Sequence, residues 1–219
     1  MADTHRADYR SRMPMNRIHQ WLCASERWAD AVERQFLPWA LAGVELGDEV
    51  LEIGPGYGAT TRVLLTRTAA LTALETDAAL ADRLARQLDG RARVVHGDGT
   101  AMPFADGSFT GVSCFTMLHH VPSPALQDRL FVEALRVLQP GGIFAGADSM
   151  PSLGFRLLHV FDTMVLVDPA ALPQRLAAAG YVDIAVEAAP RRAFKFRARK
   201  PTRRATVDHG GDVAHGKAG

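Results

Sequence analysis

The sequence predicts an α/β fold in which a doubly wound, mostly parallel sheet carries helices on both faces. Three observations predict it. Short apolar runs alternate with amphipathic helical stretches between residues 49 and 147. The first run leads into a glycine-rich turn that opens a helix. The chain has 219 residues, 47% of them hydrophobic and 22% charged, which suits one compact domain with its own core.

Buried strands are predicted wherever a short apolar run is bounded by turn-forming residues. Five runs meet this description, at residues 49–53, 70–74, 92–95, 109–116 and 142–147. Two stretches between them repeat apolar residues at every fourth position, as a helix packed on a sheet requires. These are Leu80, Leu84 and Leu88 in one and Leu126, Leu130, Ala134 and Leu138 in the other. The sequence Gln139-Pro140-Gly141-Gly142 is predicted to stop the second helix and to turn into the next strand.

The region before the sheet is predicted to be a flexible leader at residues 1–14 and a helical lid at 15–42. Four large aromatic residues recur on one face of a helix at about 100° per residue: Trp21, Trp28, Phe36 and Trp39. Pro38 is expected to kink or end this helix, because it lacks the N–H that would donate to residue 34. The aromatic stripe predicts packing on the domain or, alternatively, a lid over a ligand.

Residues 45–148 are predicted to be the ligand-binding core of the domain. An insert at 149–168 follows, with an apolar helix at 153–166. The remaining predicted elements are, in order, a helix at about 170–179 ended by Gly180, strands at 181–188 and 192–199 paired as an edge hairpin, and a disordered tail at 201–219.

Composition excludes several classes of protein. The chain has 25 Lys and Arg against 24 Asp and Glu, and this formal net charge of +1 argues against a nucleic-acid binder. No apolar run approaches the roughly 18 residues of a membrane-spanning helix, and the polar N-terminus does not indicate secretion. Cys23 and Cys114 are too far apart for a metal or redox motif. We therefore expect reduced thiols, no metal site and a cytoplasmic protein.

The turn Gly54-Pro55-Gly56-Tyr57-Gly58 joins the first strand to a helix that opens at Ala59. Glycines let the chain turn tightly and let a ligand approach the backbone, and the helix N-terminus adds unpaired N–H groups. The spacing Gly54-x-Gly56-x-x-Ala59 also satisfies the loose dinucleotide fingerprint, which leaves an NAD-dependent oxidoreductase as an alternative. Pro55 argues against a pyrophosphate, because it removes one backbone donor.

Two carboxylates follow neighbouring strands. Glu75 ends the second strand, 21 residues after Gly54, where it can accept hydrogen bonds from both hydroxyls of a ribose. Asp98 lies just past the third strand and can accept from the exocyclic amine of an adenine, with the N–H of Gly99 or Thr100 on the ring nitrogens. Two carboxylates suit a cofactor that has no phosphates and carries a positive charge.

Taken together, these motifs resemble the class I S-adenosylmethionine-dependent methyltransferases, in the small-molecule branch that includes enzymes of quinone biosynthesis. The resemblance covers residues from about 45 to 200. It is carried by residues 50–61, Glu75, residues 97–104, residues 109–121 and residues 138–142.

The resemblance implies a Rossmann-like sheet of seven strands in the order 3-2-1-4-5-7-6, with the last strand antiparallel. It implies S-adenosylmethionine as cofactor, with S-adenosylhomocysteine as product. Gly54, Gly56 and Gly58 would face its methionine part, and the backbone near Cys114 or Phe115 would receive its amino group. Glu52 would support that amino group or the turn.

The sulfonium cofactor is already activated, so the enzyme's work is to align the reacting atoms in a site closed to water. A general base is needed only where the acceptor atom must lose a proton. His119 and His120 follow the fourth strand and are the candidates, with neither preferred. Asp148, at the end of the fifth strand, is a rival. His96 and His159 are expected to be structural or surface residues.

The apolar helices at 15–42 and 153–166 are expected to roof an acceptor pocket, which predicts a small hydrophobic or aromatic acceptor. The same surfaces can instead join two subunits, so the chain is expected to be a monomer or a homodimer. A non-catalytic S-adenosylmethionine-binding protein is the other alternative, because no residue is an unambiguous base.

Overall fold

The computed structural model describes residues 16–150, 164–189 and 193–202, with residues 17–19 described by their backbone alone. One sheet organises them, in the order β3-β2-β1-β4-β5-β7-β6. Its strands are Glu49–Ile53 (β1), Ala70–Glu75 (β2), Arg93–His96 (β3), Phe109–Phe115 (β4), Leu138–Ser149 (β5), Val182–Ala189 (β6) and Ala193–Arg199 (β7). Strands β1 to β5 are parallel, and β7 is antiparallel to both its neighbours. The predicted fold class and strand order are confirmed.

Helices cover both faces of the sheet. They are Arg17–Cys23 (α1), Glu26–Ala31 (α2), Leu37–Ala40 (α3), Ala59–Leu64 (α4), Ala78–Leu88 (α5), Pro124–Val137 (α6) and Leu172–Ala179 (α7). On one face, α6 and α7 bury a core around Leu130, Phe131 and Leu176. On the other, α3 and α4 pack with Val32 and Phe115, while α5 buries Leu84 and Leu88 against Ala73. None of the helices that the structure describes is long and apolar enough to cross a membrane.

The helix predicted at the N-terminus is broken into short pieces. Ser25 starts α2, and its hydroxyl accepts from Trp28 N at 3.2 Å. Pro38 does not end the helix, because it lies in the first turn of α3, directly after a π-helical turn at Val32–Phe36. The prediction of one aromatic face is also wrong, since Trp21 is 73% exposed. Trp28, Phe36 and Trp39 do pack together, next to Phe115.

The junction between α6 and β5 differs from the prediction at one residue. Leu138 was expected to continue the helix, but it begins β5 and pairs with Phe109. The register then shifts, and the ladder resumes where Gly111 pairs with Ile143. The Pro140-Gly141-Gly142 segment fills this irregularity, so the turn lies inside the strand rather than before it.

The C-terminal elements follow the prediction. Helix α7 ends at Gly180, which has φ +105°, a left-handed conformation that glycine adopts without a steric penalty. Strands β6 and β7 are paired antiparallel from Val182 opposite Arg199 to Ala189 opposite Ala193. The leader at 1–14, most of the predicted helix at 153–166 and the tail from 203 lie outside the described residues. The end of that predicted helix, residues 164–166, has no regular structure.

Cys23 and Cys114 are not joined in a disulfide. Cys23 is partly buried, and Cys114 lies in the core, where burial raises its pKa well above the usual range. Among the described residues, no group of three or more His, Cys, Asp or Glu side chains could hold a metal ion.

Candidate active site

The carboxyl ends of β1, β2, β3 and β4 meet at one edge of the sheet. Ile53 pairs with Leu74 and with Cys114, and Glu75 pairs with His96. The glycine turn, Glu75, the loop of Asp98 and the exit of β4 therefore start from neighbouring points. In a sheet of this topology, ligands bind in the crevice where the strand order reverses, and here β1 and β4 flank that point.

The glycine turn has a left-handed backbone, with φ +68° at Gly54, +54° at Gly56 and +80° at Gly58. Gly58 is the N-cap of α4, where its left-handed backbone favours glycine, and a Cβ there would lie 2.6 Å from Leu84 Cδ1. A Cβ on Gly56 would meet nothing within 4 Å. The backbone at Gly56 thus has open space beside it, as an approaching ligand requires.

The Glu75 carboxylate lies against this turn. Its Oε2 accepts from Gly56 N at 2.9 Å, and its Oε1 accepts from Asp77 N at 3.0 Å. The residue is only 5% exposed. Burial raises the pKa of Glu75, and the two backbone N–H groups oppose that rise because they stabilise the charged form. The structure therefore joins two parts of the predicted site, the glycine turn and Glu75, that lie 19 residues apart in the sequence.

The loop of Asp98 crosses the end of β1. Gly97 N donates to Glu75 O at 2.8 Å, and a Cβ on Gly99 would lie 3.1 Å from Ile53 Cγ2. Asp98 Oδ1 accepts from both Thr100 N, at 2.7 Å, and Thr100 Oγ1, at 2.8 Å. The Thr100 N–H predicted to reach an adenine ring nitrogen is thus already used to fix the Asp98 carboxylate.

Glu52 lies beneath the turn rather than in it. The Thr60 hydroxyl, in the first turn of α4, donates to Glu52 Oε1, and Glu52 Oε2 has no hydrogen-bond partner among the described residues. Burial raises the pKa of Glu52 to about 7, and the Thr60 hydrogen bond opposes the shift. A buried acceptor without a donor is unusual, and it leaves an oxygen for a donor or a cationic group.

The exit of β4 presents its backbone and not its side chains. The Phe115 ring is buried and packs edge-on against Phe36, with ring centroids 6.4 Å apart. Thr116 follows with φ +51°, and its N–H donates to Ala147 O at 2.8 Å. A left-handed threonine is rare and strained, and no sequence signal indicated it.

His119 and Asp148, predicted as rival bases, form one buried pair. His119 Nδ1 lies 2.5 Å from Asp148 Oδ1, and His119 N donates to Asp148 Oδ2 at 3.1 Å. The exposed fractions are 2% for His119 and 1% for Asp148. His120 is partly exposed, and its ring centroid lies 4.1 Å from that of His119. The pairing follows from the parallel register of β4 and β5, which places both strand exits side by side.

Gln127 is a site residue that sequence reasoning missed. It is fully buried on α6, and its Nε2 donates to Leu118 O at 3.0 Å and to Val165 O at 2.9 Å. Val165 N in turn donates to His119 O at 2.8 Å. The backbone at Leu118 and His119 is therefore fixed by two contacts, one from the Gln127 side chain and one from Val165 N. No sequence signal indicated Gln127, because it lies one residue after Leu126 and outside the predicted apolar repeat.

His96 lies at the surface, where its Nε2 is 3.2 Å from Thr76 O, and His159 lies outside the described residues. His96 is not brought to the pair of His119 and Asp148.

Residues 51–146 match the family model described as a methyltransferase domain. A solved S-adenosylmethionine-dependent methyltransferase from Aquifex aeolicus shares the fold, with a TM-score of 0.63 and 15% identity over 78% of this chain and 93% of that one. Residues 51–146 therefore form a methyltransferase domain, with the fold of the class I S-adenosylmethionine-dependent enzymes. The resemblance read from the sequence is confirmed.

Curated relatives of this methyltransferase domain differ in their acceptors. One is a 24-methylenesterol C-methyltransferase 2 of Oryza sativa subsp. japonica, 29% identical over 62% of this chain and 34% of its own length. Another is a demethylmenaquinone methyltransferase of Clavibacter sepedonicus, 32% identical over 52% of this chain and 44% of its own. A ribosomal RNA small subunit methyltransferase A of Leifsonia xyli subsp. xyli (strain CTCB07) is 44% identical over 28% of this chain and 25% of its own length. The chain spans less than half the length of each.

S-adenosylmethionine is the cofactor of such domains, and the residues present fit it. The open space at Gly56 leaves room for a ligand against the backbone. The carboxylate of Glu75 and the unpartnered oxygen of Glu52 are acceptors, which suit a cofactor with hydroxyl groups and positive charge.

Proposed function

We propose that this chain transfers a methyl group from S-adenosylmethionine to a small hydrophobic or aromatic molecule. The observation that carries the proposal is the hydrogen bond from Gly56 N to Glu75 Oε2, because it brings the predicted ribose-binding carboxylate onto the glycine turn. When bound, the cofactor supplies an electrophilic methyl group on a sulfonium.

Each residue at this edge has a binding role in the proposal. Glu75 accepts from the ribose hydroxyls, and Asp98 accepts from the adenine amine across the end of β1. The methionine part lies along Gly54, Gly56 and Gly58. The backbone at the exit of β4 receives its amino group, since the Phe115 side chain packs away into the core.

His119 is the base in this proposal, and Asp148 orients it. A carboxylate 2.5 Å from Nδ1 favours the tautomer with the proton on that nitrogen, so Nε2 is the atom that takes a proton from the acceptor. Asp148 also stabilises the imidazolium that results. It thus acts through His119 and is not a second base. His120 remains the alternative base, because its ring centroid lies 4.1 Å from that of His119.

The small, apolar acceptor is supported by the aromatic residues near the β4 exit. Phe36 contacts both Phe115 and Trp39, and it is partly buried against the core cluster that contains Phe115. Two of the three relatives named above act on a sterol and a quinone precursor by name, and the RNA-modifying relative matches the shortest part of the chain. With a net charge of +1, the chain lacks the basic excess of an RNA binder. A cytoplasmic monomer or homodimer is part of the same proposal.

Calorimetric titration with S-adenosylhomocysteine tests the cofactor site. Glu75→Ala and Asp98→Ala are each expected to lower affinity by about tenfold or more, since each removes a charged hydrogen-bond partner. Asp82→Ala, on the exposed side of α5, is the matched control and should bind as the unaltered protein does. Unchanged affinity in both site variants would refute the assignment, and binding of NADH in place of S-adenosylhomocysteine would restore the oxidoreductase alternative.

Turnover separates an enzyme from a non-catalytic binder. The protein is incubated with S-adenosylmethionine and size-fractionated cell extract, and formation of S-adenosylhomocysteine is measured. We expect it in the small-molecule, solvent-extractable fraction. Tight cofactor binding with no turnover in any fraction would favour the non-catalytic alternative, and turnover confined to the RNA fraction would contradict the acceptor class.

A further inference from the structure

The loop that contains Asp98 has little regular structure of its own, and one face of α6 holds it in place. Residues 97–108 connect β3 to β4 and make one isolated bridge, between Asp98 and Ala101. Arg129, Glu133 and Arg136 lie at positions i, i+4 and i+7 of α6, on the same side of the helix. All three bond to the backbone of this loop.

Glu133 and Arg136 form the central pair of this contact. Their side chains are joined by two hydrogen bonds of 2.8 Å each, from Arg136 Nε and Nη2. Glu133 accepts from Met102 N at 2.8 Å, while Arg136 donates to Met102 O at 3.0 Å and to Phe104 O at 2.7 Å. The Arg136 guanidinium holds the pKa of the Glu133 carboxyl below its usual range, so the pair stays charged at neutral pH.

Arg129 links the same helix to Asp98. Its Nε donates to Thr100 O at 3.0 Å. Thr100 in turn fixes Asp98, because its N–H and hydroxyl both donate to Asp98 Oδ1. A Cβ on Gly99 would lie 3.2 Å from Leu130 Cδ1, so the helix also limits how close the loop can come. The direction of the Asp98 carboxylate is thus set by side chains some 30 residues later in the chain.

We propose that Arg129, Glu133 and Arg136 are positioning residues for the adenine end of the cofactor, which they control by fixing the Asp98 carboxylate through the loop backbone. This inference rests on the proposed function. None of the three is placed in contact with the cofactor. Their effect is therefore on how well the site distinguishes the adenine amine from other groups, since a bound geometry must be held to a fraction of an ångström to discriminate.

Two probes measure that discrimination. S-adenosylhomocysteine carries the amine, and S-inosylhomocysteine carries a carbonyl oxygen in its place, which faces a carboxylate unfavourably. We expect the unaltered protein to prefer the first by about tenfold or more, and Asp98→Asn to lose most of this preference. In Arg129→Gln the affinity for S-adenosylhomocysteine should fall about fivefold, the effect of one hydrogen bond, with little change for S-inosylhomocysteine.

Arg136→Lys keeps the charge and removes the forked donor, and it should lower the preference in the same way. Arg86→Gln, an exposed arginine of α5, is the control and should change neither affinity. Equal weakening for both probes in Arg129→Gln and Arg136→Lys would show a merely structural role and overturn the inference. The inference would also be overturned if Arg129→Gln and Arg136→Lys both kept the full preference for S-adenosylhomocysteine while Asp98→Asn lost it. Failure of the unaltered protein to bind either probe would instead overturn the proposed function itself.

Discussion

The two halves of the candidate site are built in different ways. At the ends of β1, β2 and β3, the Glu75 carboxylate is held by two backbone N–H groups, of Gly56 in the glycine turn and of Asp77. At the ends of β4 and β5, the Asp148 carboxylate is held by a histidine ring and by backbone from separate segments. The first half therefore depends on turn geometry that a short motif encodes. The second depends on side chains that meet only when the fold is complete.

The comparison predicts that the halves can be disabled separately. His119→Gln should lower turnover by about a hundredfold or more, the usual contribution of a general base, because it removes the proton acceptor. Affinity for S-adenosylhomocysteine should stay within about twofold. Turnover is measured with the extract fraction that supports it, and His120→Gln is the matched variant. A large loss in His120→Gln with none in His119→Gln would move the assignment to the neighbouring ring.

Glu52 provides a test on the cofactor side, because burial of its charged carboxylate destabilises the folded protein. Its pKa is 4.5 when solvated and about 7 in the fold, so the folded protein binds more protons between these values. The contribution of neutral Glu52 to the free energy of unfolding is therefore fully present below pH 4.5, and it is lost as the pH rises through 7. Glu52→Gln should remove this loss and raise the free energy of unfolding at pH 8 by roughly 3 kcal/mol.

Urea unfolding of Glu52→Gln at pH 8 and at pH 5 measures this effect, with Glu45→Gln at an exposed position as control. A gain that is the same at both pH values would show that the carboxyl does not titrate in this range.

Gln127 tests how far the acceptor half depends on long-range contacts. Gln127→Met keeps the size of the side chain but removes its hydrogen bonds to Leu118 O, which retains Val121 N as a donor, and to Val165 O. The free energy of unfolding should fall by about 2 kcal/mol. Gln87→Met, at an exposed position of α5, should leave thermal unfolding unchanged. An equal, small effect in both would mean that Gln127 does not brace the segment of His119.

The sequence predicted that the glycine turn, Glu75 and Asp98 lie at one edge of the sheet, because this information is local. The glycines and Asp98 follow strands, Glu75 ends one, and strand ends gather at one edge in any parallel sheet. The β6–β7 hairpin was predicted for a similar reason, since only a short segment separates its two strands. The pairing of Asp98 with Thr100 is a two-residue turn and was within reach of the same reasoning.

What the sequence did not predict depends on contacts between distant residues. The hydrogen bond between His119 and Asp148 requires the register of β4 and β5. The contacts of Arg129, Glu133 and Arg136 with the loop at 97–108 require that α6 packs against this loop. Helical periodicity placed Trp21 with the other aromatic residues, but breaks in the helix turned it to solvent. Leu138 was assigned to the helix because an apolar residue fits both a helix end and a strand start.

The strand order has a consequence for synthesis. Strand β7 lies between β5 and β6, although the ribosome makes it after both. Until residues 193–199 emerge, β5 keeps an open edge of unpaired N–H and C=O groups, and the nascent β6 has no neighbour in the sheet. An exposed edge of this kind recruits other chains. Between translation of Ser149 and of Arg199, this edge is therefore available for pairing with a second nascent chain.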